Sequence, residues 1–207
     1  MTKTTSTLLP KLFACLLLCV LPEGKAKAQV INIEVSPYLG EIINAHVPAS
    51  IGLDVEQAFK TVNSVALSYA LYLRSSSYAG DGSYSGSRIN LAYKRYLGSK
   101  TIYHGFYISP HFSYLSTSAP EPDEPEVPML KGSSKGLGAG LNLGYQWLLR
   151  DRFTLGLEAG TTFYRSEIEK RYQDGHQTSY FQNHWDVNFS FSVGVLIFDF
   201  QKDRTED

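Results

Sequence analysis

Residues 137–147 read Leu-Gly-Ala-Gly-Leu-Asn-Leu-Gly-Tyr-Gln-Trp. Every odd position is apolar or aromatic, and every even one is Gly, Asn or Gln. A period of two puts these sets on opposite faces of an extended strand, whereas a helix would mix them around its circumference. The pattern repeats outward in both directions. It recurs in segments 49–56, 65–74, 88–94, 105–114, 153–163 and 186–195, and a weaker first segment sets Ile31, Ile33 and Val35 against Asn32, Glu34 and Ser36. The reading is eight strands and no helix.

Most of these segments exceed the five or six residues usual in soluble sheets and reach the roughly 9 to 11 that a tilted membrane strand needs. The lumen of an eight-stranded barrel is just filled by side chains, so the bulky apolar set is too large for it and the Gly, Ser, Asn and charged set fits. The expected fold is therefore all-β, an eight-stranded antiparallel up-and-down transmembrane barrel with lipid outside and a polar lumen. Backbone groups in lipid must be paired, so such a sheet must close on itself, with the strand near Ile31 beside the one near Val193.

The connections are predicted to alternate in length. Short periplasmic links are expected at residues 60–63, 98–104 and 149–152, and longer extracellular loops at about 40–48, 75–86, 116–135 and 165–184. Tyr69, Tyr93, Tyr114, Tyr145 and Trp147 lie on the apolar face toward strand ends, where barrels carry aromatic girdles. Ordinary sheets also carry such aromatics.

Residues 1–28 read as a cleaved signal peptide: Lys3 and Lys11 precede the apolar run Leu12–Leu21, and Ala26-Lys27-Ala28 offers a small-x-small cleavage site. Cys15 and Cys19 fall inside it, so the remainder (barrel 29–200, polar tail 201–207) carries no disulfide or thiol chemistry. An anchor helix and a lipoprotein signal are the rival readings of this segment. The whole chain has 207 residues, 19% charged, with a net charge of −1, which argues against a nucleic-acid partner.

Ile51-Gly-Leu-Asp-Val-Glu56, Ala92-Tyr-Lys-Arg-Tyr-Leu97, Gly105-Phe-Tyr-Ile-Ser-Pro110 and Leu141-Asn-Leu-Gly-Tyr-Gln-Trp147, taken as an ordered set, resemble small eight-stranded outer-membrane barrels of the OmpA/OmpX type. They are most similar to a Bacteroidota-type group of outer-membrane barrels of unknown function, over about residues 30 to 200. The resemblance implies a fold and a bacterial outer-membrane location, and supplies no catalytic residues. The chain departs from it at the C-terminus, where Phe200 is followed by Gln201–Asp207. Phe198 and Phe200 fall on the opposite parity from Val193, Val195 and Ile197, which either leaves the terminal assembly signal imperfect or implies a bulge near Leu196.

On the predicted inward face lie Glu34, Asp54, Glu56, Glu158 and Asp186, with Arg74, Arg88 and Lys94. Unpaired charges in a narrow lumen are costly, so their near-balance points to an internal salt-bridge network that plugs the barrel, with an ion path as the rival. His111 and Ser113 have the two-residue spacing of a His-activated hydroxyl, as in barrel lipid A deacylases. They are expected to face the lumen, where Tyr114 follows in place of that motif's Asn. Asp174, His176 and His184 share one expected loop without zinc-type spacing. Glu121, Asp123, Glu124 and Glu126, interleaved with Pro120, Pro122, Pro125 and Pro128, read as an extended solvated excursion rather than a calcium site. Gly138, Gly140 and Gly144 are expected to give room beside a bulky lumen neighbour such as Tyr107.

No catalytic, cofactor or metal residue is assigned. The expected role is structural or surface interaction without catalysis, with outer-membrane lipid and lipopolysaccharide as partners and the loops meeting extracellular ones. The alternatives are a lipid A-modifying enzyme using His111 and Ser113, a narrow pore, and a soluble secreted ligand-binding barrel.

Overall fold

In the computed structural model, the residues described are 29–36, 49–60, 62–76, 83–98, 102–119, 129–172 and 174–198. The signal-peptide reading of 1–28, the link at 40–48, the Pro- and Glu-rich stretch at 120–128, Phe200 and the tail 201–207 lie outside them, as does the Arg74 side chain.

Eight strands follow in chain order: β1 (Gln29–Ser36), β2 (Ser50–Lys60), β3 (Asn63–Ser76), β4 (Ser83–Leu97), β5 (Gly105–Ala119), β6 (Met129–Leu149), β7 (Phe153–Tyr172) and β8 (Gln177–Phe198). Each pairs antiparallel with its neighbours, and β1 pairs with both β2 and β8, so the ring is closed in up-and-down order. Closure uses the predicted strands: Ile33 lies opposite Val193. The predicted irregularity is present as well. Val30 pairs with Leu196 while Gln29 pairs with Phe198, so Ile197 is passed over in the register.

Side chains show which face is the axis. Arg88 on β4 bonds Asn188 on β8, Tyr96 on β4 lies 3.0 Å from Gln146 on β6, and Thr154 on β7 bonds Asn32 on β1. None of these pairs joins adjacent strands, so each is a chord across the interior. Asn32, Asp54, Glu56, Lys94, Arg88, Ser109 and Thr162 are buried there. The opposite parity is outside: Ile33, Leu91, Phe106, Phe112, Leu137, Leu143 and Trp185 are each more than half exposed. The barrel is thus polar within and apolar without, the inverse of a soluble domain.

Two expectations need correction. β7 runs on to Tyr172 and β8 begins at Gln177, so the expected long link at 165–184 is a paired hairpin, with Arg165 opposite Asn183 and Arg171 opposite Gln177. Likewise β5 extends to Ala119 and β6 begins at Met129. Where both faces of a hairpin meet solvent, no alternation is required, so periodicity cannot reveal it. The second correction concerns residues 98–104. This segment is more than a turn, because its Ile102 and Tyr103 are buried in one cluster with Val30, Ala58, Tyr96 and Tyr107.

Candidate functional site

The chemistry-bearing residues lie along the axis, and their positions follow from strand parity. At the end holding the 98–104 segment, Tyr103 sits with φ 66° and turns its ring inward. It meets Tyr96 edge-on at 6.3 Å, and its hydroxyl accepts a hydrogen bond from the Ala58 N–H at 3.0 Å. Tyr107 lies 5.5 Å from Tyr96, which completes a three-ring plug.

Beyond the plug comes the ion network. Lys94 Nζ lies 3.0 Å from Glu56 Oε2 and 3.6 Å from Asp54 Oδ2, and 5.2 Å above the Tyr107 ring. Glu56, fully buried, also accepts from Ser64 Oγ and lies 2.8 Å from the Tyr96 hydroxyl. Asp54 accepts from Asn32 Nδ2 at 3.0 Å. Glu158 takes the Tyr107 hydroxyl at 3.0 Å and Asn142 Nδ2 at 2.6 Å. Farther along, Arg88 lies 3.8 Å from Glu34 and donates to Asn188 at 3.0 Å. Buried ions are tolerable only when their hydrogen-bonding capacity is met, and donors from five strands meet it here.

Among the described residues the network joins Glu34, Asp54, Glu56 and Glu158 to Arg88 and Lys94, and neutral donors from Asn32, Ser64, Tyr107 and Asn142 carry part of the load. A space of about 30 Å³, room for about one water, lies beside Glu34, Asp54, Lys94, His111 and Glu158.

His111 and Ser113 face the lumen as predicted, 5% and 3% exposed. They take different partners: His111 Nε2 lies 2.9 Å from Thr162 Oγ1, and Ser113 Oγ lies 2.6 Å from the Tyr164 hydroxyl. The three expected loop residues separate. Asp174 accepts the His176 N–H and closes the turn between β7 and β8, whereas His184 stacks on Tyr164 at 5.4 Å and lies 3.8 Å from Asp186. Among the described residues, no three His, Cys, Asp or Glu are grouped to hold a metal.

The glycines behave as expected. A methyl group added at Gly144 would overlap the Tyr107 ring, one at Gly140 the His111 ring, and one at Gly138 the Tyr164 ring. Tyr107, His111 and Tyr164 thus each lie over a bare backbone on the adjacent strand. Sequence reasoning missed Ile102 and Tyr103. The available signal was a bulky apolar pair inside an otherwise polar connection.

On the outer wall, Phe106 stands edge-on to Tyr145 at 4.6 Å, Tyr145 lies 4.5 Å from Trp147, and His104 lies 6.2 Å from Tyr145. These form an aromatic cluster at the plugged end. Phe163 and Trp185, 5.1 Å apart, make a second cluster toward the β7–β8 hairpin. Tyr69 sits near the middle of β3, opposite Ile89, rather than at its end.

A search of curated proteins finds no match to this sequence. A family model described as "Protein of unknown function (DUF3575)" matches residues 13–188. The span runs into β8 and takes in most of the chain, ion network included, so the chain belongs to the DUF3575 family.

Proposed function

We propose that this chain is a small bacterial outer-membrane barrel of the OmpA/OmpX type, exported through residues 1–28. It serves a structural or surface-interaction role without catalysis. One observation carries the reading: the sheet's outer wall carries an apolar band that runs around the ring, while the ions at the level of that band face the axis. A soluble monomer rarely exposes an apolar patch beyond a few hundred Å². Here Ile33, Leu91, Phe112, Leu141, Leu143, Leu157 and Val193, spread over six strands, are each more than a third exposed. Hydrocarbon is the environment in which such a wall is favourable.

The filled axis argues against a pore, because the three-ring plug and the Lys94 cluster occupy the path. The lumen positions of His111 and Ser113 argue against a lipid-cleaving enzyme, whose pair must meet the bilayer. The mobility of the purified chain on detergent gels, before and after heating, tests the membrane reading. A folded membrane barrel migrates differently until heated and partitions into the detergent phase. A chain that stays folded and monomeric in the aqueous phase without detergent overturns it. Loss of lipid A modification in a His111→Ala strain would restore the enzyme reading.

A further inference from the structure

The outer wall changes character abruptly between two rows of the sheet. The row Tyr69–Ile89–Tyr114–Leu137 is apolar across β3 to β6. The next row toward the β7–β8 hairpin is Leu71–Ser87–Ser116–Lys135, and the one beyond it is Ser85–Ser118–Ser133. Five serines thus floor the wall where its apolar band ends. Because these side chains are small, they leave a groove of about 520 Å³ between Leu71 on one side and Lys135, Lys170 and Arg171 on the other.

The charge of the groove is directional. Lys135 and Arg171 are exposed and form no ion pair within 4.0 Å among the described residues, although Glu167 stands opposite Lys135 in the β6–β7 ladder, and Lys170 lies 5.7 Å over the Tyr180 ring. Among the residues that line the groove, these three cations meet one carboxylate, Glu169, which accepts from Ser133 Oγ at 3.5 Å. Cations beside a bed of hydroxyls suit a phosphate carrying hydroxyl groups. The apolar row directly below suits acyl chains. A free anion would use the first feature and leave the second without a role.

We propose that this groove seats the phosphorylated, hydroxyl-bearing headgroup of an amphiphile whose chains lie along Tyr69, Ile89, Tyr114 and Leu137. The site rests on the membrane reading and adds a specific lipid contact to it. The test measures binding of phosphatidylglycerol and phosphatidylcholine to the detergent-solubilised full chain by native mass spectrometry. The wild type should prefer phosphatidylglycerol by about tenfold, the ratio one charge-assisted contact supports. Lys135→Gln with Arg171→Gln should abolish the preference, Glu169→Gln should raise it, and Ser116→Tyr should block it without changing charge.

Inorganic phosphate should not displace the lipid; if it competes, the site is a free-anion site and the headgroup assignment falls. Equal ratios in all variants also overturn it. Gel mobility and detergent partition are measured on the same samples. If these hold and the preference is absent, only the groove assignment fails. A chain that stays in the aqueous phase overturns both readings.

Discussion

Lys94 is the side chain on which the interior most depends. Its ammonium is shared by Glu56 and Asp54, two buried carboxylates. Lys94→Met would leave both uncompensated, and breaking a buried pair in this way costs about 3–5 kcal/mol. Denaturant unfolding in micelles should show that loss, and Glu56→Gln added to Lys94→Met should recover part of it, because the two changes act on one network. Gly144 makes the complementary case. Gly144→Leu would push Tyr107 off its contacts with Glu158 and Lys94, at about 1–3 kcal/mol for overpacking. Tyr107→Ala combined with it should cost less than the two changes summed. Both residues were legible in the sequence as inward positions by parity. Tyr107 was legible too as the bulky neighbour of Gly144, whereas the partners of Lys94 were not, because Lys94 reaches β2 past β3 and not along its own ladder.

Among the elements, the 98–104 segment departs furthest from what its sequence suggested. Tyr103→Ala removes a fully buried ring, and such truncations cost about 3–5 kcal/mol. Tyr103→Phe keeps the packing but removes the acceptor for Ala58 N–H, for about 1–3 kcal/mol. The same unfolding assay should rank wild type, Phe and Ala in that order. If Tyr103 were an ordinary exposed turn residue, the three would coincide. The β7–β8 hairpin should behave oppositely. Replacing residues 170–178 with an Asn-Gly turn shortens a section paired within itself, from Lys170 and Thr178 outward, and should leave the heat-dependent mobility unchanged. This hairpin was invisible to periodicity because polar groups occupy both faces, Glu167, Glu169, Gln177 and Ser179 on one and Lys170, Thr178 and Gln182 on the other. The strand ends were misjudged for that one reason, while the strand centres, half-buried by design of the pattern, were read correctly.

For the molecule as a whole, the decisive property is the solvent against the outer wall. In a bilayer, Leu157→Arg places a charge near the middle of the apolar face, which costs about 2–4 kcal/mol at such depth, whereas Glu167→Arg on the hairpin costs about 0–1. In water, a surface arginine at either position would change stability by only about 0.5 kcal/mol. Reversible unfolding from lipid vesicles separates these cases. Equal small effects at both sites would remove the membrane reading, whatever the fold.

By itself the sequence determined the number of strands, the face each residue takes, the closure of β1 on β8 and the irregularity near Leu196. The closure follows from the need to pair every backbone group, and the rest from a period of two, which is a property of neighbours along one chain. Only the tertiary structure decided that Tyr103 caps the axis, that Lys94 serves Glu56 and Asp54, and that His111 and Ser113 part to Thr162 and Tyr164. These are chords between strands separated around the ring. Their lengths depend on the stagger accumulated over successive pairings, and no local pattern records that sum.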